Sequence, residues 1–116
     1  MSDTPIIKWK LAAWPQGKRY EKVNGQTRSL VLWAREYLDE KTARRAAPQI
    51  HRRYRDAVIE LQPFKFEGFF WVGDSRSVEQ FYWCPCRGLL DWVDDQWHCR
   101  RCGDEWHDEQ VRPAKP

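Results

Sequence analysis

S29-L-V-L-W-A-R-E-Y-L38 decides how the first half of this chain is read. Leu30, Trp33, Ala34, Tyr37 and Leu38 fall at i, i+3, i+4, i+7 and i+8, the stripe that one side of an α-helix presents to a core. Ser29 stands where a hydroxyl caps the first turn. A helix this short does not stand alone in water, so it implies packing partners on either side.

Downstream, a second short helix is expected from near Asp39, including Thr42 to Ala46. Pro48 suits the first turn of a third, whose apolar side is Ile50, Tyr54, Ala57, Val58 and Leu61, with Pro63 as its stop. Three short helices with a brief middle one give the outline of a helix-turn-helix domain. Upstream, Trp9 and Trp14 lie among lysines, and Y20-E-K-V-N-G-Q-T-R28 contains Asn24-Gly25. Both residues tolerate positive φ, so Tyr20, Val23 and Thr27 are expected to flank a short hairpin.

Charge is divided along the chain. Residues 1–63 hold thirteen Lys and Arg against seven Asp and Glu, and residues 64–116 hold seven against ten, so a polyanion is expected to approach the first half. K41-T-A-R-R-A-A-P-Q-I-H-R-R-Y-R55 contains Lys41, Arg44, Arg45, Arg52, Arg53 and Arg55 and no acid. On a helix, Arg52 and Arg55 point away from the apolar side and Arg53 lies toward its edge. These six are the candidate nucleic-acid contacts, with DNA ahead of RNA, and binding through them would weaken steeply with salt. A solvated basic helix side, or acids of a protein partner, accounts for the same residues.

V23-N-G-Q-T-R-S-L-V-L-W-A-R-E-Y37 resembles the N-G-x-x-x-S-L-x-x-W-A-x-E segment that precedes helix-turn-helix modules in small phage and mobile-element proteins. The resemblance implies a basic helix after it. Where that family commonly has a glycine to begin the turn, this chain has Leu38-Asp39.

Beyond Pro63 the pattern becomes strand-like. F64-K-F-E-G-F-F-W-V-G-D-S75 alternates at Phe64 and Phe66 and then runs through aromatics to Gly73-Asp74, and V78-E-Q-F-Y-W83 leads a second strand into Cys84. These rings read as the cover of a small sheet, and Phe69, Phe70 and Trp71 as an alternative exposed binding edge.

Four cysteines follow within nineteen residues, Cys84 and Cys86, then Cys99 and Cys102. Four thiolates surround Zn²⁺ as a closed tetrahedron and supply folding free energy that a domain this small lacks. A redox C-x-x-C would need a thioredoxin-like βαβ context, and a catalytic zinc would need an open position. W97-H-C-R-R-C-G-D-E-W106 resembles the W-x-C-x-x-C-G-x-x-W half of a zinc ribbon. C84-P-C-R-G88 departs from the C-P-x-C-x-G half by one residue, so either a tighter turn forms or Cys84 stands aside for His98 or His107. His51, among arginines, reads as a surface residue. Asp91, Asp94, Asp95, Asp104, Glu105, Asp108 and Glu109 read as a solvated acidic side, because nothing holds two of them at one ion.

A chain of 116 residues holds one compact domain or two very small ones, and its eight tryptophans suggest a core filled by few bulky groups. The opening residues do not read as a secretory signal, and no apolar run reaches membrane-helix length. The protein is therefore expected in a cytoplasm or nucleoid, the host's if it is viral, where thiols stay reduced and closely spaced cysteines more often bind metal than form disulfides. The expected fold is α+β, a three-helix, helix-turn-helix-like part over residues 1–63 and a zinc ribbon with short antiparallel strands over 64–116. The expected function is a non-enzymatic nucleic-acid-binding accessory or regulatory protein. The alternatives are a phage-type inhibitor or modulator of a host polymerase or nuclease and, behind it, an endonuclease fragment, for which no H-N-H arrangement is present.

Overall fold

In the computed structural model, which describes residues 7–111, the first half is built on strands. The opening residues 1–6, read above as no secretory signal, lie outside the described residues. The chain divides into two compact units between Gln80 and Phe81.

In the first unit, β1 (Ile7–Trp14), β2 (Tyr20–Val23), β3 (Gln26–Ser29) and β4 (Trp33–Tyr37) precede α1 (Glu40–Arg53), and β5 (Val58–Glu67) and β6 (Phe70–Gly73) follow it. The main sheet is antiparallel in the order β4-β1-β5-β6. Registers Leu11↔Leu61 and Ala13↔Ile59 put four buried side chains on one side of it. There α1 packs on β1, β5 and β4, and its buried Ala43, Ala47 and Ile50 include two small residues that allow close approach. Leu11, Ile59 and Leu61 are fully buried, each worth about 1.5–3 kcal/mol of transfer free energy. On the other side, Arg19 forms a bidentate pair with Glu60 (2.5 and 3.0 Å) and stacks over Trp14, whose ring also meets Tyr20 at 5.7 Å.

The expected hairpin is present: Val23 pairs with Gln26 across Asn24 (φ 52°) and Gly25 (φ 79°). The three-helix, helix-turn-helix-like arrangement is not. Ser29 ends β3, and Leu30 to Leu38 is a short connection followed by the edge strand β4, its backbone satisfied by neighbouring chain, with Leu30 N–H donating to Arg19 C=O and Leu32 N–H to Ala13 C=O. Ser29 Oγ accepts from Val31 N–H in a tight turn instead of capping a helix.

The second and third expected helices are one. It starts at Asp39, whose carboxylate accepts from Thr42 N–H at 3.0 Å and Thr42 Oγ at 2.8 Å, runs through Pro48, and ends at Arg53. Residues 58–61, placed on a helix by their spacing, begin β5. Pro63 does not stop an element but sits inside β5, where its carbonyl accepts from Asp74 N–H at 3.0 Å and no donor is required of it. β5 therefore carries residues 58–67 across the boundary expected at 63/64, and the units divide later.

β7 (Glu79–Phe81) also pairs with β5. In the second unit, β8 (Leu90–Val93), β9 (Gln96–Cys99) and β10 (Glu105–Trp106) form an antiparallel sheet in the order β10-β9-β8, and a short helix α2 (Asp108–Val111) follows. Short antiparallel strands were expected here. Among the described residues no helix is long and apolar enough to cross a membrane.

Candidate metal centre

The β8–β9 hairpin turns on Asp94 (φ 50°) and Asp95 (φ 62°), with Val93 opposite Gln96. Two of the acids read as a solvated side are thus the turn itself. Others are engaged: Asp91 pairs with the Arg100 guanidinium, and Asp108 accepts from the Trp97 indole N–H at 2.9 Å. Alternation along β9 buries Trp97 and Cys99 together, within a cluster that includes Cys84 and Leu90.

Cys99 ends β9 and opens a tight turn. The N–H groups of Arg101 and Cys102 approach its sulfur at 3.3 and 3.4 Å, and Gly103 N–H donates to its carbonyl. Cys84 and Cys86 sit on a loop that doubles back on itself. Cys84 N–H donates to Gly88 C=O at 2.9 Å, Arg87 N–H to Cys84 C=O at 2.7 Å, and Trp83 bridges to Leu89. The loop closes with Arg87 at φ 73°. This is the tighter turn that a one-residue spacer permits.

All four sulfurs lie within 4.8 Å of one another. Cys86 Sγ is 3.4 Å from Cys99 Sγ, and Cys84 Sγ is 3.6 Å from Cys102 Sγ. The edge of a tetrahedron with metal–sulfur bonds of 2.3 Å is about 3.8 Å, so the set is positioned to take a metal ion and is consistent with zinc. These two contacts join the halves of the site, and Cys84 with Cys86 and Cys99 with Cys102 stand within the same 4.8 Å.

The electrostatics favour a cation. Burial pushes the Cys99 thiol up, but the Cys102 and Arg101 amides and the Cys86 and Cys102 sulfhydryls outweigh it and bring it to about 6. At Cys102 the Asp104 amide favours the thiolate, yet desolvation and the neighbouring sulfurs push the thiol up to about 12. Burial likewise raises Cys84. The Cys99 thiolate forms readily here while Cys84 and Cys102 resist ionising, the condition that a divalent cation relieves.

Gly88 is the residue that sequence reasoning left without a role. A methyl group on it would overlap Cys99 Sγ and stand 2.7 Å from Arg101 Cβ. His98 points to the opposite side of β9 from Cys99 and faces Glu105 at 3.7 Å, and His107 is exposed. Cys84 lies within the sulfur cluster and does not stand aside. His51, expected at the surface, is buried on α1.

The six basic candidates do not act as a set. On α1, Lys41, Arg45 and Arg52 stand at i, i+4 and i+11, within about 40° around the axis, opposite Ala43, Ala47 and Ile50. All three are exposed, and among the described residues no ion pair engages Arg45 or Arg52, while Lys41 neighbours the capping Asp39. Arg44 turns away to Glu40 (2.9 Å) and Glu79 (2.5 Å), which raise its pKa further. Arg53 is the last helical residue, its guanidinium over the Tyr54 ring. Arg55 lies beyond the helix and lines an open groove of about 600 Å³ with Leu32 and Tyr54.

Comparison with protein-family models, with curated proteins and with solved structures gives no match to this chain. The likeness of residues 23–37 to helix-turn-helix proteins therefore has no support, in the comparisons or in the fold.

Proposed function

We propose that this chain is a small non-enzymatic nucleic-acid-binding accessory or regulatory protein, its second unit held by structural zinc on Cys84, Cys86, Cys99 and Cys102. The row of Lys41, Arg45 and Arg52 carries the reading. It spans about 16 Å along α1, with the helix anchored behind it, so three cations are offered to a phosphate backbone without rearrangement. The zinc closes on four protein sulfurs, leaves no position for a reacting water, and acts by holding the fold.

Fluorescence anisotropy with labelled duplexes tests it. Binding should weaken steeply from low to moderate salt, and Arg45→Glu with Arg52→Glu should abolish it while the fold persists, because both side chains are exposed. Binding indifferent to salt and to both reversals would contradict it.

A protein-binding modulator of a host polymerase or nuclease is the second reading. It is favoured by the β5–β6 hairpin tip, where Phe69 is 95 % and Phe70 61 % exposed. Of the expected edge, Trp71 is half-buried against Phe66 and Lys8. A single protein retained from host lysate after nuclease treatment would favour that reading.

A further inference from the structure

The side of the main sheet that turns away from α1 carries a cluster of rings and ammonium groups. Registers Lys8↔Phe64, Lys10↔Gln62 and Phe66↔Trp71 put these six residues on that side. Gly73 is opposite Phe64, and a methyl group there would stand 2.8 and 2.9 Å from ring atoms of Phe64 and 2.8 Å from Gln62 Nε2. The Phe64 ring therefore lies across the Gly73 backbone, an arrangement that only a glycine allows. Phe66 is 42 % exposed and meets Trp71 at 5.3 Å. Lys8 Nζ sits 4.3 Å from the Trp71 ring centre and pairs with Glu36, while Lys10 Nζ is 6.0 Å from the Phe64 centre and, among the described residues, makes no ion pair.

An exposed Phe66 and a half-buried Phe64 on a sheet with ammonium groups beside them match the chemistry of an unpaired nucleotide. Its base offers a π face to a ring and its phosphate takes a lysine. Phe64 and Phe66 stand about 7 Å apart along β5, the reach of one extended nucleotide. A duplex hides its base faces in its own stack and has nothing to give these rings. The first unit's balance, fifteen Lys and Arg against ten Asp and Glu over residues 1–80, favours a polyanion over an acid-poor protein surface.

We propose that this side of the sheet is a stacking platform for single-stranded nucleic acid, with Phe64 and Phe66 taking bases and Lys10 a phosphate. It rests on the nucleic-acid-binding reading above and adds, on the side of the sheet away from α1, a second surface selective for single strands. The test compares a labelled oligothymidylate with a duplex of equal length on the full chain, using Phe66→Leu and Lys10→Gln, both confirmed folded by circular dichroism. The single strand should bind more tightly than the duplex. Phe66→Leu should weaken it on the order of ten-fold with duplex binding unchanged, and Lys10→Gln should flatten its salt dependence. Equal binding of both forms, with neither variant altering it while the Arg45 and Arg52 reversals abolish it, would overturn the platform and leave the broader reading standing. Absence of all binding at low salt would overturn both. Loss of a bound protein instead of the oligonucleotide in Phe66→Leu would assign the surface to protein docking and overturn the platform.

Discussion

At the scale of single residues, Gly88 and the cysteines behave differently as signals. Cysteine spacing is legible because ligand chemistry restricts which side chains can serve, so Cys84, Cys86, Cys99 and Cys102 could be named together from sequence. The need for Gly88 is set by how closely its backbone passes Cys99 and Arg101, and sequence does not record that distance. Gly88→Ala is expected to displace the Cys99 turn by a few tenths of an ångström or more, with overpacking of about 1–3 kcal/mol. Competition with a chromophoric chelator should show metal affinity lowered on the order of ten-fold. Unchanged affinity would mean that the loop yields without cost. The paired aspartates of the β8–β9 turn were legible in principle, because two turn-forming residues between Val93 and Gln96 are a hairpin signal.

At the scale of elements, periodicity misled where segments are short. Leu30, Trp33, Ala34, Tyr37 and Leu38 fit a helix, but Trp33 and Tyr37 fit a strand with period two equally well, and only β1 alongside decides between them. Ile50, Tyr54, Ala57, Val58 and Leu61 fit a helical stripe that omitted Ile59, which is fully buried. A large β-branched residue left off the apolar side was the available warning, and Val58-Ile59 is the start of β5. Asn24-Gly25 read correctly because its turn is dictated by local φ alone. Pro48 separates the readings experimentally. In a helix running from Glu40 to Arg53 it removes an interior hydrogen bond, so Pro48→Ala should raise stability by about 1–3 kcal/mol, less whatever unfolded-chain entropy it releases. Urea unfolding measures this. A proline opening a separate third helix would instead give no gain or a loss.

At the scale of the molecule, charge and fold divide together. Residues 1–80 carry the excess of Lys and Arg and a helix packed on a sheet, while residues 81–116 carry five Lys and Arg against seven Asp and Glu, and short strands around four sulfurs. A buried cluster of Cys84, Leu90, Trp97 and Cys99, with partly buried Tyr82 and Trp106, is a small core for such a unit. Metal binding would supply what that core lacks, because the four cysteines positioned to take an ion also lie on both turns. A second unit braced by zinc on these four sulfurs is therefore the central prediction. X-ray absorption at the zinc edge, on reduced and folded protein purified without added metal, tests it most directly. One zinc per chain with a shell of four sulfurs at about 2.3 Å is the expected result. A folded protein with no zinc, or a first shell containing nitrogen, would contradict it.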